Sequence, residues 1–339
     1  MRPTSLSRRS ILLSAAASLL VPLARTATPQ HQAQVQQWTD DSRNRTLPVL
    51  MRWPDGQTPC PLVVYSHGLG GNREGGDVWG QAWQQAGIAV LHVQHPGSDD
   101  RLWRDAQGRA PSEILAAMRH GATPAQLLAR VADVKFVLDE ITRRQQAAPN
   151  NAANPWGRVR LNALGMAGHS FGAGTTQALA GERYPVPSEL AEPRFKAFAA
   201  FSPTMRQSTA GQSPMQEKFA RITSPFLSLT GTHDGDPFGD RFAGQVREQV
   251  YADLPPGHKA MLVLDGADHM TFAGVAETIR NNAVLPRAPQ AIEREKTHHA
   301  LVARLSTQWW RAHLMGDAAA LAGLAQPQGL GGGDQWTMK

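Results

Sequence analysis

The sequence predicts an α/β protein: one mostly parallel, twisted sheet with helices on both faces and cap-like loop insertions. Two observations carry this. Short apolar runs of strand length recur along the chain, and segments of helical period separate them. Size agrees, since 339 residues, 41% hydrophobic and 18% charged, can bury a large core and do not resemble a disordered chain.

In chain order, "TLPVLMRWP" reads as antiparallel strand at the sheet edge. Buried parallel strands are expected over 61–67 (PLVVYSH), 88–93 (IAVLHV), 161–168 (LNALGMAG), 195–202 (FKAFAAFS), 225–231 (PFLSLTG) and 259–266 (KAMLVLDG). Helices are expected over 76–87, 123–146, 174–182 and 240–254. The connections 96–122, 203–223 and 279–292 exceed ordinary loops, and those at strand C-termini are expected to form a cap or rim over a site. A last helix, "IEREKTHHALVARLSTQWWRAHLMGD", places Leu301, Leu305, Trp309 and Trp310 on or near one face, as core packing requires. The domain organisation is then an export signal over 1–27, a linker over 28–44, one catalytic domain over 45–316, and a helix end with a flexible, glycine-rich tail over 317–339.

The N-terminus runs from a basic stretch through an apolar run of about fourteen residues to small residues, the layout of an export signal and too short for a bilayer span. Arg8-Arg9 in "SRRSILL" points to the twin-arginine route across a bacterial inner membrane, with a general secretory signal as the alternative. The expected location is therefore periplasmic or secreted, with the export machinery as a partner, cleavage near Ala27, and no stable membrane anchor. Losing Arg2, Arg8, Arg9 and Arg25 with this segment lowers the formal charge of +6 by four, to +2. No Lys/Arg cluster survives in the mature chain, so nucleic acid is excluded as a partner. Cys60 is the single cysteine and can form no internal disulfide.

Chemistry concentrates around "AGHSFGAGT". Gly168-His169-Ser170-Phe171-Gly172 fits G-x-S-x-G, between an apolar strand and a small-residue helix. Glycines two before and two after relieve the crowding of a sharp strand-to-helix turn that lifts a serine hydroxyl above the sheet. Such a hydroxyl needs a base and an acid downstream. Of twelve histidines, His269 in "LDGADHMTF" is best placed, three residues beyond the last predicted parallel strand. "GTHDGDPFGD" offers Asp234, Asp236 and Asp240; Asp234 is nearest the strand end, with Asp236 the main alternative. The same loop fails as a calcium site, because Phe238 and Gln245 stand where an EF-hand needs oxygen ligands. His92 and His95 lack a third ligand at usable spacing, so no metal is expected there. Acyl transfer also needs two oxyanion donors. The amide of Phe171 is one, and that of Leu69, in the glycine loop of "YSHGLGGNREGG", is the other.

"SHGLGGNR", "GHSFGAGT", "GTHDGD" and "GADHMTF", in that order, resemble the α/β-hydrolase superfamily, within the branch of dienelactone hydrolase-like and platelet-activating-factor acetylhydrolase-like serine esterases. The resemblance spans about residues 45 to 316. It implies the α/β-hydrolase fold and a serine carboxylester hydrolase acting on a small ester without metal or organic cofactor. It also implies a site-rim role for "HPGSDD", which makes His95 a substrate-binding expectation; residues 96–122 are expected to line the cleft, where Trp103 reads either as a rim aromatic that binds substrate or as plain packing. Two departures stand out. Dienelactone hydrolases proper use a cysteine where Ser170 stands, and the acetylhydrolase acid follows the strand that here ends at Ser202-Pro203 without a carboxylate. The main expectation is an exported carboxylesterase; the alternatives are an extracellular polyester depolymerase and a non-catalytic binding member of the fold.

Overall fold

The computed structural model describes residues 33–339 apart from 106–107, 109, 148–153, 187–188, 205–214, 237–243 and 276–286. The expected export signal and the candidate Asp240 lie outside the described residues.

Among the described residues nine strands form one sheet in the order β1-β2-β4-β3-β5-β6-β7-β8-β9. They are β1 (Gln34–Asp40), β2 (Arg45–Arg52), β3 (Cys60–Ser66), β4 (Ala89–Val93), β5 (Val159–His169), β6 (Phe195–Phe201), β7 (Phe226–His233), β8 (Lys259–Asp268) and β9 (Gln335–Met338). The block from β4 through β8 is parallel throughout, while β1, β2 and β9 join antiparallel. Buried on both faces, the central strands are continuous apolar runs, and alternate residues feed opposite cores. Leu62 and Val64 pack with Val131, Val134 and Leu138, whereas Val63 and Tyr65 pack with Trp79, Trp83, Trp309 and Trp310.

The first face carries α4 (Pro124–Ala147) and α5 (Phe171–Ala180); the second carries α1 (Asp77–Gln85) and α8 (Pro289–Met315). As the helical spacing required, Leu301, Leu305, Trp309 and Trp310 of α8 are buried. The indoles also find partners: Trp309 Nε1 donates to the Phe198 carbonyl at 3.1 Å and Trp83 Nε1 to Ser306 Oγ at 2.9 Å. Between β4 and α4 lie two short helices, α2 (Arg101–Arg104) and α3 (Pro111–Gly121). The remaining helices are α6 (Met215–Phe219), α7 (Glu248–Asp253) and α9 (Ala318–Ala325).

Two boundaries differ from the sequence expectation. The stretch read as a linker contains β1, which pairs with β2 along seven residues and buries Trp38. The stretch read as a flexible tail contains α9, which buries Leu324, and β9, which pairs with β8. Its glycines shape the connection into β9 rather than fray it: the Asp334 carboxylate accepts from the amides of Gly331 and Asp265 at 2.7 and 3.0 Å. No helix among the described residues is long and apolar enough to cross a membrane.

Candidate active site

The site lies at the carboxyl ends of β5, β6, β7 and β8, where an open parallel sheet presents its loops. Ser170 sits between β5 and α5 with φ 54 and ψ −114, a conformation that costs a non-glycine residue strain. The glycines that flank it are dictated by contact. A Cβ on Gly172 would run into the Ser66 carbonyl, and one on Gly168 into the Gly172 carbonyl. Ser170 N–H donates to the Phe201 carbonyl at 2.9 Å, and its own carbonyl accepts from Gly174 N and Thr204 Oγ1, which fixes the turn. The serine is half-buried.

His269 follows β8 in a 3-10 turn. Asp268 caps that turn by accepting from the Thr271 amide at 2.9 Å, and Arg287 in turn holds Asp268 at 2.8 Å. From there the imidazole Nε2 lies 2.8 Å from Ser170 Oγ and Nδ1 lies 2.8 Å from Asp234 Oδ1. A carboxylate can only accept, so Nδ1 carries the proton and Nε2 is free to accept from the serine. His169 fixes the backbone beneath: its Nε2 donates to the His269 carbonyl at 3.0 Å.

Asp234, fully buried, follows β7 and collects donors from several elements. Besides His269 it accepts from Ser202 Oγ at 2.7 Å and Thr230 Oγ1 at 2.8 Å, and it pairs with Arg247 Nε at 3.0 Å. Burial alone would raise its pKa, but the Arg247 charge and the hydrogen bonds from His269 and Ser202 outweigh it and bring it down to about 2. His269 is held below its ordinary value, first by burial and then by Arg247, although Asp234 pulls the other way. The site therefore rests with an anionic carboxylate and a neutral imidazole, the state in which a hydroxyl can be deprotonated. Asp236, half-buried two residues on, is not the carboxylate hydrogen-bonded to His269.

The glycine loop after β3 runs alongside. A Cβ on Gly68 would lie 3.5 Å from Ser170 Cβ, so the loop that carries Leu69 passes beside Ser170. Phe171 is the first residue of α5, where an N–H has no intrahelical partner. Leu69 and Phe171, the residues expected to supply oxyanion amides, thus sit on the two elements that meet at Ser170.

No protein-family model and no curated protein matches the chain. Solved structures do. A ferulic acid esterase from Streptomyces cinnamoneus matches with TM-score 0.56 at 19% identity, over 84% of this chain and 90% of that one. A 2,6-dihydroxy-pseudo-oxynicotine hydrolase matches with TM-score 0.50 at 15% identity, over 84% and 69%. A dienelactone hydrolase from Anabaena variabilis stands at TM-score 0.45 and 17% identity, over 84% and 100%. The fold is that of the α/β hydrolases.

Within this α/β-hydrolase fold two residues of the site went unread in the sequence. Ser202 follows β6 with φ 58, a second strained serine, and its Oγ touches both Asp234 Oδ1 and His269 Nδ1, the latter at 2.8 Å. In the sequence, "FSP" stands out only for lacking a carboxylate. Arg247 lies 13 residues past Asp234 and reaches back to the Asp234 and Pro203 carbonyls, both at 2.8 Å. Nothing in a single arginine of a helical segment signals that role.

His95 does not line the site. It is wholly buried, with Nε2 2.9 Å from Ser66 Oγ and Nδ1 2.9 Å from Asp133 Oδ2. Ser98, Asp99 and Asp100 of the same stretch are buried too, which corrects the rim expectation for "HPGSDD". Ser66, His95 and Asp133 repeat the bonding order of Ser170, His269 and Asp234, yet at 0% exposure no substrate reaches Ser66. Trp103 in α2 is half-buried and donates from Nε1 to the Gly70 carbonyl at 2.7 Å, which sets it against the loop that carries Leu69. Among the described residues no group of three or more His, Cys, Asp or Glu could hold a metal ion.

Proposed function

We propose that this chain is an exported serine carboxylesterase. Ser170 Oγ attacks the ester carbonyl while His269 Nε2 takes its proton; Asp234 keeps the imidazole in its productive tautomer and stabilises the imidazolium that forms. The Leu69 and Phe171 amides receive the oxyanion, an interaction worth about 3 kcal/mol per donor in the transition state. The protonated His269 returns its proton to the departing alcohol. Water then repeats the sequence on the acyl-enzyme, releasing the acid and restoring Ser170. Trp103 stands at the rim as the substrate-binding aromatic. The N-terminal sequence pattern supports export.

One observation carries this reading: an unbroken chain of 2.8 Å contacts from a half-exposed serine on a strained turn to a neutral imidazole and on to a buried anionic carboxylate. Two of the named neighbours, an esterase and a hydrolase, are compatible with it at the level of fold. The test is turnover of short-chain p-nitrophenyl esters by the purified mature protein, with a burst of p-nitrophenol equal to the enzyme concentration. Ser170→Ala should abolish both. Equal rates for the two proteins would refute the assignment.

A further inference from the structure

α4 buries two charged residues one turn apart, Arg130 and Asp133, both at 0% exposure. Asp133 is held by Arg43, Arg45 and His95. Arg130 turns instead to the loop after β3. Its Nη1 donates to the His67 carbonyl at 2.6 Å, its Nη2 to the Ser98 and Gly68 carbonyls at 3.2 and 3.4 Å, and its Nε to Ser98 Oγ at 2.8 Å. The guanidinium carbon lies over the Phe171 ring, 4.4 Å from its centroid. One side chain thus grips the loop that carries Leu69 and the residue that opens α5.

We propose that Arg130 is a positioning residue for the oxyanion hole, fixing the directions of the Leu69 and Phe171 amides together. The peptide unit joining Gly68 to Leu69 is planar and trans, so its carbonyl and its N–H point in opposite directions. Whatever holds the Gly68 carbonyl inward therefore aims the Leu69 N–H outward. Three donors hold that carbonyl: His67 Nδ1 at 2.6 Å, Gly71 N at 3.1 Å, and Arg130 Nη2. The His67 tautomer is itself set, because the His95 amide donates to Nε2 at 3.0 Å and leaves the proton on Nδ1. The Ser98 carbonyl closes the frame by accepting from Gly70 N at 3.0 Å as well as from Arg130. On the other side, the cation–π contact restrains Phe171 at the first position of α5. Burial pulls the Arg130 pKa down to about 9, which leaves the guanidinium charged at neutral pH. A buried cation is a costly way to fill a core, and carbonyl acceptors placed around it are what make the cost tolerable.

The kinetic part rests on the esterase reading, whereas the grip on the loop does not, so the experiment separates them. Arg130→Lys keeps a charge and loses the fork. In the mature protein it should lower kcat for p-nitrophenyl acetate by about ten- to a hundred-fold, below the full loss of an oxyanion donor, with KM within about threefold of wild type. Affinity for butylboronic acid, which forms a tetrahedral anion on the serine, should fall in parallel. Rates are referred to active sites titrated with a fluorophosphonate, so partial unfolding does not mimic the effect. Hydrogen exchange over residues 66–72, measured without substrate, should accelerate by at least about tenfold. Should that variant not fold, Ser98→Ala removes the Nε partner, together with a 3.3 Å bond from Ser98 Oγ to the His95 carbonyl, and should lower kcat about three- to tenfold. A folded Arg130→Lys protein with wild-type kcat per titrated site, or with unchanged exchange over 66–72, overturns the proposal, as does a Ser98→Ala protein with wild-type kcat. If the wild type turned over no ester, the esterase reading would fall and the exchange result alone would decide what Arg130 holds.

Discussion

At Asp234 one carboxylate takes contacts from His269, Ser202, Thr230 and Arg247, and their number sets what each can be worth. Asp234→Asn would replace an acceptor with a donor facing Nδ1 and favour the wrong tautomer; kcat should fall on the order of 10⁴-fold with the protein still folded. Ser202→Ala removes one hydrogen bond to that carboxylate among several, worth about 1.5–3 kcal/mol, so kcat should fall only about ten- to a hundredfold. If the two variants were equally damaged, Ser202 would be more than a supporting hydroxyl. Arg247 acts through charge. Because burial and Arg247 depress the His269 pKa, the base stays neutral below pH 6.5, and kcat/KM should hold its plateau into that range before falling as His269 protonates. Arg247→Met removes a cation beside the imidazole, which raises its pKa, so the acidic limb should move to higher pH. An unmoved limb in the pH–rate profile of that variant would show that Arg247 only packs.

At the level of elements, the site depends on a close approach of β3, the strand-to-helix turn after β5, and the start of α5. Gly172→Ala would drive a methyl into the Ser66 carbonyl, backbone that cannot move without shifting β3 and the loop after it. Either the protein should fail to accumulate in soluble form, or kcat should fall by more than about a hundredfold; soluble protein with wild-type rates would mean that the elbow has slack. The parallel strands and this elbow were legible because apolar runs and paired glycines are local signals. β1 and β9 were not, since an edge strand buries few side chains: in "QVQQWTD" only Trp38 is an apolar residue fully covered by the fold, and four residues of "QWTM" make no pattern. Arg130 and Asp133 were illegible for a different reason. A charged pair on a helix reads as its solvent face, and only tertiary contact reveals that these two point inward. The rim role expected for His95 came from the resemblance and not from the residues themselves; here the ring is buried and satisfied by Ser66 and Asp133.

Across the whole molecule, buried imidazoles accumulate on behalf of that arrangement. His67, His92, His95, His169 and His269 are all buried, and all have pKa values lowered first by burial; His92 and His95 reach about 4. The folded state keeps these rings neutral, while the unfolded chain protonates them near pH 6.5. Between those values the unfolded state binds more protons, so stability is fully present above pH 6.5 and is lost as pH falls toward 4. Two shifts of the size seen at His92 and His95 would each remove on the order of 3 kcal/mol by pH 4, comparable together to the margin of a typical domain. The carboxylates act later: Asp234 and Asp133 have depressed pKa values, so their contribution persists above about pH 4 and is lost only below it. The urea midpoint should therefore be level from pH 8 to 7, fall steeply between pH 6.5 and 4.5, and fall less steeply in His92→Gln, which carries one titrating ring fewer. A midpoint that stayed level to pH 4.5 and dropped only below it would assign acid unfolding to the carboxylates and remove the imidazoles from the stability of the fold.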